Sequence, residues 1–276
     1  MLFRSAKSFG DKTALIIEEK SFSYKEIDAM ACRVANGLKA SGVRPGDRVT
    51  LYSANCWEWA VSYHAIAKTG AVINPINVML TSDEVKYVVE DSGTTAVLGS
   101  ADKAESLLDL KGNNELTDVV LFGDTVPTGA TSFEDWLKSG TDTFEVAVRN
   151  REDLAAICYT SGTTGHPKGA MHSHHNILAN AQGTAMMHVR TESDVMVNSL
   201  PLPHVYGSVV FNSGFMYGAK LVIVPRFEEE AVMSAIQQHQ ATILDGVPTA
   251  YYFLLAHPKF DNYDLSTLTQ IGRTHV

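Results

Sequence analysis

The stretch AAICYTSGTTGHPKGA, residues 155–170, joins a short apolar run to a turn crowded with glycines and small hydroxyl side chains. Its first six residues are typical of a buried strand, and its glycines favour a turn over a continued strand. Backbone N–H groups in such a turn can converge on an anion, and Lys168 adds a mobile cation. The stretch therefore predicts a polyphosphate-binding turn at the end of a strand.

Strand-like and helical segments alternate on both sides of this turn. A helix is expected after the Ser23–Glu26 capping-box pattern and up to Gly42, and another over 55–70 with Asn55 as its N-cap. The turn itself is expected to lead into a helix over 175–188. Strands are predicted at 46–53, 71–77, 95–100, 118–124, 155–160, 194–201, 219–225 and 241–247. This alternation predicts an α/β fold with predominantly parallel sheets flanked by helices on both faces.

The composition is that of a folded globular chain. With 276 residues, 45% of them hydrophobic, the chain can bury a large core in one large domain or two smaller ones. A weakly marked boundary is expected within 131–153, which would divide the chain into regions 1–150 and 151–276. The net charge of −9 and the lack of a lysine and arginine block argue against binding to nucleic acid.

Two further features of the sequence bear on membrane insertion and cellular location. No run approaches the roughly 18 apolar residues that a membrane-spanning helix needs, so no transmembrane segment is expected. The three cysteines, Cys32, Cys56 and Cys158, are far apart and lack CxxC spacing. They are expected to be reduced thiols, which favours a cytoplasmic location.

The glycine-rich turn fits neither of two common phosphate fingerprints. A P-loop needs glycine directly before its lysine and a hydroxyl after it, whereas Pro167 precedes Lys168 and Gly169 follows. The GxGxxG pattern is also absent from this turn. YTSGTTGHPKG, residues 159–169, instead resembles the phosphate-loop signature of the adenylate-forming (ANL) superfamily, written close to (Y/F)TSG(S/T)TGxPKG. Within that superfamily, the chain is most similar to acyl-CoA synthetases, the fatty-acid–CoA ligases.

The resemblance implies ATP-dependent activation of a carboxylic acid, most naturally a fatty acid. The carboxylate would attack the α-phosphate of ATP, pyrophosphate would leave, and the acyl-adenylate would then acylate coenzyme A. ATP, Mg²⁺ and coenzyme A are the implied cofactors, with Mg²⁺ bridging phosphate oxygens rather than bound to a metal site of this chain. The implied nucleotide-binding residues are Thr160, Ser161, Gly162, Thr163, Thr164, Gly165 and Lys168.

Two later segments also resemble the family. SLPLPHVYGSV, residues 199–209, is similar to a PLxHxxG segment, which implies that His204 lies beside the reacting carboxylate as a candidate catalytic residue. ATILDGVPTAYYFLLAH, residues 241–257, resembles the segment that lines the acyl pocket. The implied substrate-binding residues are Tyr206, Gly207, Val247, Pro248, Thr249 and Tyr252. Alternatively, the helical spacing of Tyr251, Tyr252, Phe253 and Leu255 favours simple core positions for most of them.

Two charged or metal-binding patterns have simpler explanations. The histidines at 166, 172, 174 and 175 suggest zinc, but no carboxylate or cysteine stands at ligand spacing, and a polar first helical turn needs no metal. The acidic run Glu228, Glu229 and Glu230 is expected in the first turn of a helix, where carboxylates complement the dipole.

Complete members of the resembled family run to roughly twice this length. The chain is therefore expected to be an incomplete N-terminal AMP-binding domain, 1–276, which lacks the adenine and ribose contacts and the mobile C-terminal domain. Little or no activity is expected from it alone, and its uncovered surface favours a possible homodimer. A non-catalytic remnant or nucleotide-binding module remains an alternative. An amino-acid adenylation domain is another, although PLPHVYG lacks the aspartate that such domains usually carry near the position of His204.

Overall fold

The computed structural model describes residues 2–112, 115–160 and 166–273. Two compact units make up the chain, one of residues 27–177 and the other of residues up to 26 together with 178–276. The units therefore divide the chain at 26/27 and 177/178, not near residue 150 as the sequence suggested. Among the helices of the described ranges, none combines the length and apolar character needed to cross a membrane.

The helices and strands follow one another along the chain in near-regular alternation. Those of the first half are α1 (Leu2–Phe9), β1 (Thr13–Ile17), β2 (Lys20–Ser23), α2 (Tyr24–Ala40), β3 (Arg48–Tyr52), α3 (Trp57–Thr69), β4 (Val72–Pro75), α4 (Ser82–Ser92), β5 (Thr94–Ser100), α5 (Ala104–Leu108), β6 (Asp118–Phe122), β7 (Thr131–Ser132) and α6 (Phe133–Ser139). Those of the second half are β8 (Leu154–Thr160), β9 (Lys168–Ser173), α7 (His174–Met187), β10 (Val195–Asn198), α8 (Val205–Tyr217), β11 (Lys220–Ile223), α9 (Glu229–His239), β12 (Ile243–Gly246), α10 (Pro248–Ala256) and β13 (Gln270–Arg273).

In the described part of 27–177, seven strands form one sheet in the order β7-β6-β5-β3-β4-β8-β9. Neighbours are parallel except β8 and β9. Val97 and Val119 pack on one face against apolar residues of α4 and α5, while Phe122 packs edge-to-face against Phe133 of α6. Helices on both faces account for the unbroken apolar character of these strands.

The other unit has a six-stranded sheet in the order β13-β12-β10-β11-β1-β2 among its described residues. Every neighbouring pair is parallel except the β1–β2 hairpin. Val197, Val222 and Leu244 pack against α9 and α10, and Leu221 faces the other way, close to Gly214 of α8. The predicted α/β class with mostly parallel sheets is confirmed.

Local signals at the helix ends are confirmed in part. The predicted capping box is present at α2, because the N–H of Ser23 donates to Glu26 Oε2 at 2.7 Å and the N–H of Glu26 donates to Ser23 Oγ at 3.2 Å. Gly70, in the left-handed conformation, ends α3. The N-cap of α3 was predicted wrongly, because the Sγ of Cys56, and not Asn55, accepts the N–H of Trp59. A sulfur acceptor is outside the usual set of capping side chains.

The largest difference lies after the glycine-rich turn. Residues 168–173 form the strand β9, which pairs antiparallel with β8 and was not predicted. The helix predicted over 175–188 is confirmed as α7 within one residue at each end. The N-terminal α1 and the β1–β2 hairpin were also not foreseen.

Gly37 of α2 offers a test of the packing in the 27–177 unit. A Cβ at this position would lie 2.2 Å from Cδ2 of Trp136. Alanine gains up to about 1 kcal/mol over glycine in an open helix, but overpacking costs about 1–3 kcal/mol. We expect Gly37→Ala to lower the free energy of unfolding by about 1–2 kcal/mol in urea denaturation. Gly183→Ala in α7, where a Cβ meets nothing within 4 Å, is the control and should be neutral or stabilising. A Gly37→Ala chain as stable as the control would contradict this packing.

The three cysteines are unpaired, as predicted; Cys32 and Cys158 are buried and Cys56 is half-buried. Burial raises the pKa of Cys56 to about 12 and that of Cys158 to about 11. With these raised values, only about one such thiol in a thousand or fewer is ionised at pH 8, and the thiolate is the reactive form.

We therefore expect Ellman's reagent at pH 8 to label Cys56 and Cys158 at least about tenfold more slowly in the native chain than in guanidinium, where all three cysteines react. Peptide mapping after a timed quench assigns each label. Equally fast labelling of both residues in the native chain would show that these thiols are not buried.

Candidate functional site

The predicted phosphate-binding turn lies at the end of an antiparallel hairpin. Thr160, the last residue of β8, pairs with Lys168, the first residue of β9, and both are exposed. The structure therefore brings two of the predicted nucleotide-binding residues to the mouth of the turn. The other five lie outside the described residues: Ser161, Gly162, Thr163, Thr164 and Gly165.

Helix α4 contacts the chain on both sides of this turn, at Tyr159 of β8 and at His166 just before β9. The hydroxyl of Tyr159 donates to Asp91 Oδ2 at 2.5 Å, and the ring of His166 stacks on Tyr87 with centroids 4.6 Å apart. Tyr87 and Asp91 stand four residues apart, on one face of α4. Burial, and then the charge of Asp91, raises the pKa of Tyr159, so its hydroxyl remains a donor at neutral pH. Lys168 thus lies on a hairpin that is attached to α4 on both sides of the turn.

The histidines near the turn do not form a metal site in the described ranges. His172 lies in β9, His174 begins α7, and His175 Nδ1 lies 2.5 Å from a guanidinium nitrogen of Arg151. Burial lowers the pKa of His174. No group of three histidine, cysteine, aspartate or glutamate side chains suited to a metal ion occurs among the described residues.

A cavity of about 500 Å³ lies in the unit that contains residues 178–276. It is open to solvent on one side, and its walls come from the segments that follow β10, β11 and β12 and from helices α8 and α10. Ligands in parallel α/β sheets characteristically bind beyond the carboxyl ends of the strands. The cavity is lined by Ser199, Leu200, Pro201, His204, Tyr206, Phe227, Gly246, Val247, Thr249, Ala250 and Phe253.

His204, the predicted catalytic residue, is the N-cap of α8. Its Nδ1 accepts the backbone N–H of Tyr206 at 3.2 Å. The neutral ring therefore carries its proton on Nε2. Because His204 lines the cavity, this nitrogen is the one that can donate to a bound ligand.

Gly207 lies buried in the first turn of α8 and does not line the cavity directly. A Cβ there would lie 2.1 Å from the carbonyl oxygen of Pro201. Pro201 and Leu202 thus pack directly against the helix backbone, and Ser208 Oγ donates to the carbonyl of Leu202 at 2.8 Å. Gly207 shapes the cavity by letting this turn approach α8.

The predicted wall residues from the last segment divide into two groups. Val247 and Thr249 line the cavity, whereas Pro248, the first residue of α10, and Tyr252 do not. The core alternative is wrong for three residues of α10, since Tyr252, Phe253 and Leu255 are 73%, 54% and 70% exposed. Ala250 and Leu254 form the buried side of the helix.

Sequence reasoning missed several residues of the cavity wall, above all the aromatic Phe227 and Phe253. Phe227 follows β11, and the rule that ligands bind after parallel strands could have pointed to it. Phe253 stood in a segment already identified, but it was assigned to the core. Three aromatic side chains, Tyr206, Phe227 and Phe253, consequently contribute to the wall.

A buried ion pair between Arg190 and Asp245 was also missed. Nη2 of Arg190 lies 2.9 Å from both carboxylate oxygens of Asp245, and neither side chain is exposed to solvent. Burial raises the pKa of Asp245, and the guanidinium counteracts that rise. The hydroxyl of Tyr206 donates to Asp245 Oδ1 at 3.3 Å, so the pair contacts a residue of the cavity wall.

Comparison with known proteins identifies the family. The family model described as AMP-binding enzyme matches residues 2–273. The chain belongs to this family of AMP-binding enzymes. Among relatives of this AMP-binding chain, a long-chain-fatty-acid–CoA ligase of Bacillus subtilis is 28% identical over 97% of the chain and 53% of the relative. A feruloyl-CoA synthase of an Amycolatopsis species is 30% identical over 96% of the chain and 51% of the relative.

Solved structures of AMP-binding enzymes show the same fold. The anthranilate CoA ligase AuaEII in complex with anthranoyl-AMP matches with a TM-score of 0.91 and 30% identity, over 99% of this chain and 54% of that one. ATP-bound MatB from Rhodopseudomonas palustris matches with a TM-score of 0.89 and 30% identity, over 99% and 54% of the two chains. This AMP-binding chain thus spans about half the length of the relatives it matches, with the fold of their N-terminal part.

Gly207 provides a test of the cavity in this AMP-binding chain. We expect Gly207→Ala to lower the free energy of unfolding by at least about 2 kcal/mol, because its Cβ would meet backbone atoms that cannot rotate away. Urea denaturation beside Gly183→Ala measures the difference. Unchanged stability of Gly207→Ala would mean that the 201–202 turn does not pack against α8.

Proposed function

We propose that this chain supplies the nucleotide-binding and acid-binding part of an acid–CoA ligase. Such an enzyme activates a carboxylic acid with ATP and then transfers the acyl group to coenzyme A. One observation carries the proposal: an apolar cavity with His204 at its wall lies beyond the carboxyl ends of parallel strands in an AMP-binding chain. The relatives named as CoA ligases for fatty, ferulic and anthranilic acids support it further.

The lining favours an apolar acid as the substrate. Among the described residues that line the cavity, none is aspartate, glutamate, lysine or arginine, and most are aliphatic or aromatic. An amino acid would leave its ammonium group without a counter-charge there, and burying an unpaired charge is strongly unfavourable. A fatty acid, or another uncharged hydrophobic acid, is the substrate class we propose, and it displaces the amino-acid adenylation alternative.

In the first half-reaction, a carboxylate oxygen would bond to the α-phosphorus of ATP as the bond to the pyrophosphate oxygen breaks. We propose that His204 Nε2–H orients the carboxylate. Thr160, Lys168 and the residues 161–165 between them would bind the β- and γ-phosphates, with Lys168 dispersing the charge that grows on the leaving pyrophosphate. In the second half-reaction, the thiol sulfur of coenzyme A would displace AMP from the acyl carbon.

Mg²⁺ would accompany ATP and supply further charge neutralisation when bound. Among the described residues, no group of histidine, cysteine, aspartate and glutamate side chains is suited to hold the ion by itself. Mg²⁺ commonly binds mainly through phosphates and water in nucleotide sites. Lys168 and Mg²⁺ would then both contact phosphate oxygens of ATP.

We further propose that residues 1–276 alone turn over little or no substrate, since they span about half of the relatives' length. The exposed apolar side chains of α10 and Ile271 support a homodimer, which light scattering tests. The protected thiols are compatible with a cytoplasmic location.

A non-catalytic nucleotide-binding module is the second candidate function, and the exposed Lys168 at the hairpin mouth suits it equally well.

Lys168→Ala tests the phosphate assignment. We expect this change to weaken the binding of ATP with Mg²⁺ at least tenfold in calorimetry, because a charge-assisted contact contributes about 1.5–3 kcal/mol. Lys138→Ala, at an exposed position in α6, is the matched control and should bind as the unaltered chain does. Equal affinity of the Lys168→Ala chain would refute the assignment.

A thioester assay with ATP, Mg²⁺, coenzyme A and dodecanoate tests the proposed inactivity of residues 1–276. We expect no more than background product from residues 1–276. Robust turnover that disappears in Lys168→Ala would establish the ligase and disprove the proposed inactivity of this chain.

A further inference from the structure

The Arg190–Asp245 pair lies at the end of the six-stranded sheet that adjoins the cavity. Asp245 lies in β12 and directly precedes Gly246 and Val247, both of which line the cavity. The other guanidinium nitrogen, Nη1 of Arg190, donates to Ser213 Oγ of α8. The pair therefore connects β12, the segment before β10 and helix α8, three parts of one unit.

Tyr206 links this pair to the cavity. Its side chain lines the cavity, and its hydroxyl donates to Asp245 Oδ1 at 3.3 Å. Burial, assisted by the charge of Asp245, raises the pKa of Tyr206, so the hydroxyl stays protonated and remains a donor at neutral pH. The ring is thus tied at its far end to a buried charge.

Little space exists for the carboxylate and the phenol to move. Gly272 of β13 pairs with Asp245, and a Cβ at Gly272 would lie 2.1 Å from Asp245 Oδ1 and 3.2 Å from the hydroxyl oxygen of Tyr206. Glycine at this position leaves room for the two polar groups and for little else. The tyrosine ring therefore has a closely fitted support.

Stability alone is a weak reason for such a pair. Replacing a buried ion pair with apolar residues of similar volume is often neutral or stabilising. Arg190 Nε and Asn198 Nδ2, beside Asp245 in the sheet, are buried and have no hydrogen-bond partner among the described residues. Because the Arg190–Asp245 pair lies next to a cavity and its burial costs stability, it is better explained by a role in fixing the geometry of the cavity wall.

We propose that Arg190 and Asp245 are positioning residues that hold the Tyr206 ring as a fixed wall of the cavity and so set which acyl shapes it accepts. The inference rests on the proposed function in one respect, that the cavity binds an acid. A fixed ring limits the width of the cavity, which admits a slender chain and disfavours a bulky group. Releasing the ring should relax this discrimination.

Calorimetry on the full chain tests the inference with two probes, dodecanoate as the slender acid and adamantane-acetate as the bulky one. We expect the unaltered chain to prefer dodecanoate. Tyr206→Phe keeps the ring but removes the bond to Asp245, and should reduce that preference at least threefold. Tyr263→Phe is the matched control, because Tyr263 donates to Glu230 Oε2 at 3.2 Å and does not line the cavity. Its preference should be unchanged.

The ratio of the two affinities separates positioning from a loss of stability. Below the melting transition, a less stable chain loses affinity for both probes alike, whereas a displaced ring changes their ratio. Asp245→Asn keeps an acceptor for Tyr206 while removing the charge that fixes Arg190, and should shift the ratio in the same direction. If that variant does not fold, Tyr206→Phe decides the matter alone. An unchanged ratio in Tyr206→Phe, or no binding of either probe to the unaltered chain, would overturn the inference.

Methyl dodecanoate distinguishes a failure of this inference from a failure of the proposed function. If the ester binds as tightly as the acid, the cavity does not recognise a carboxylate, and the ligase proposal loses its support. The effect of Tyr206→Phe on shape preference would still stand. Conversely, tight and acid-specific binding with an unchanged ratio would refute the positioning role and leave the ligase proposal intact.

Discussion

The ion pair between Arg190 and Asp245 is the constraint on which the cavity end of the six-stranded sheet depends. It connects β12, α8 and the segment before β10, and each of the two buried charges is stabilised by the other. From that point the chain leaves β12 to form one side of the cavity, and Tyr206 reaches back to the same carboxylate from the other side. The shape of the cavity follows from this arrangement.

The proposed phosphate-binding turn is flanked by a different kind of interaction. A hydrogen bond from Tyr159 to Asp91 and a stack of His166 on Tyr87 attach the hairpin to α4 on both sides of the turn. In many nucleotide sites a helix N-terminus follows the glycine-rich turn and supplies the anion-binding dipole. Here β9 intervenes, so Lys168 and the hydroxyl residues of the turn would carry the phosphate contacts.

Much of the fold was predictable because its signals are local. Apolar runs of strand length and capping pairs such as Ser23 and Glu26 depend on neighbouring residues alone, and they predicted the correct alternation. β9 escaped because KGAMHS has no apolar alternation and is defined by its pairing with β8. Strand order and the two-unit division depend on pairing between distant residues, such as β1 with β11, which no local pattern reveals.

The cavity residues could be predicted where a sequence motif contains them. They could not be predicted where the cavity wall is formed by residues that only the tertiary structure brings together. The family-like segments pointed to seven residues. Of these, Gly207, Pro248 and Tyr252 do not line the cavity, whereas His204, Tyr206, Val247 and Thr249 do. Phe227 joins them only because β11 lies next to β10 in the sheet. Phe253 was assigned to the core because helical spacing does not say which face of α10 is covered, and the Arg190–Asp245 pair joins residues 55 positions apart.

The most direct test of the proposed acid site is a crystal structure of the chain with a non-hydrolysable dodecanoyl-adenylate analogue. The dodecanoyl group should occupy the cavity against Phe227 and Phe253, with its carbonyl next to His204 and the Tyr206 hydroxyl still bound to Asp245. An acyl group bound elsewhere, or a cavity that stays empty at saturating analogue, would contradict the assignment of this cavity as the acid site.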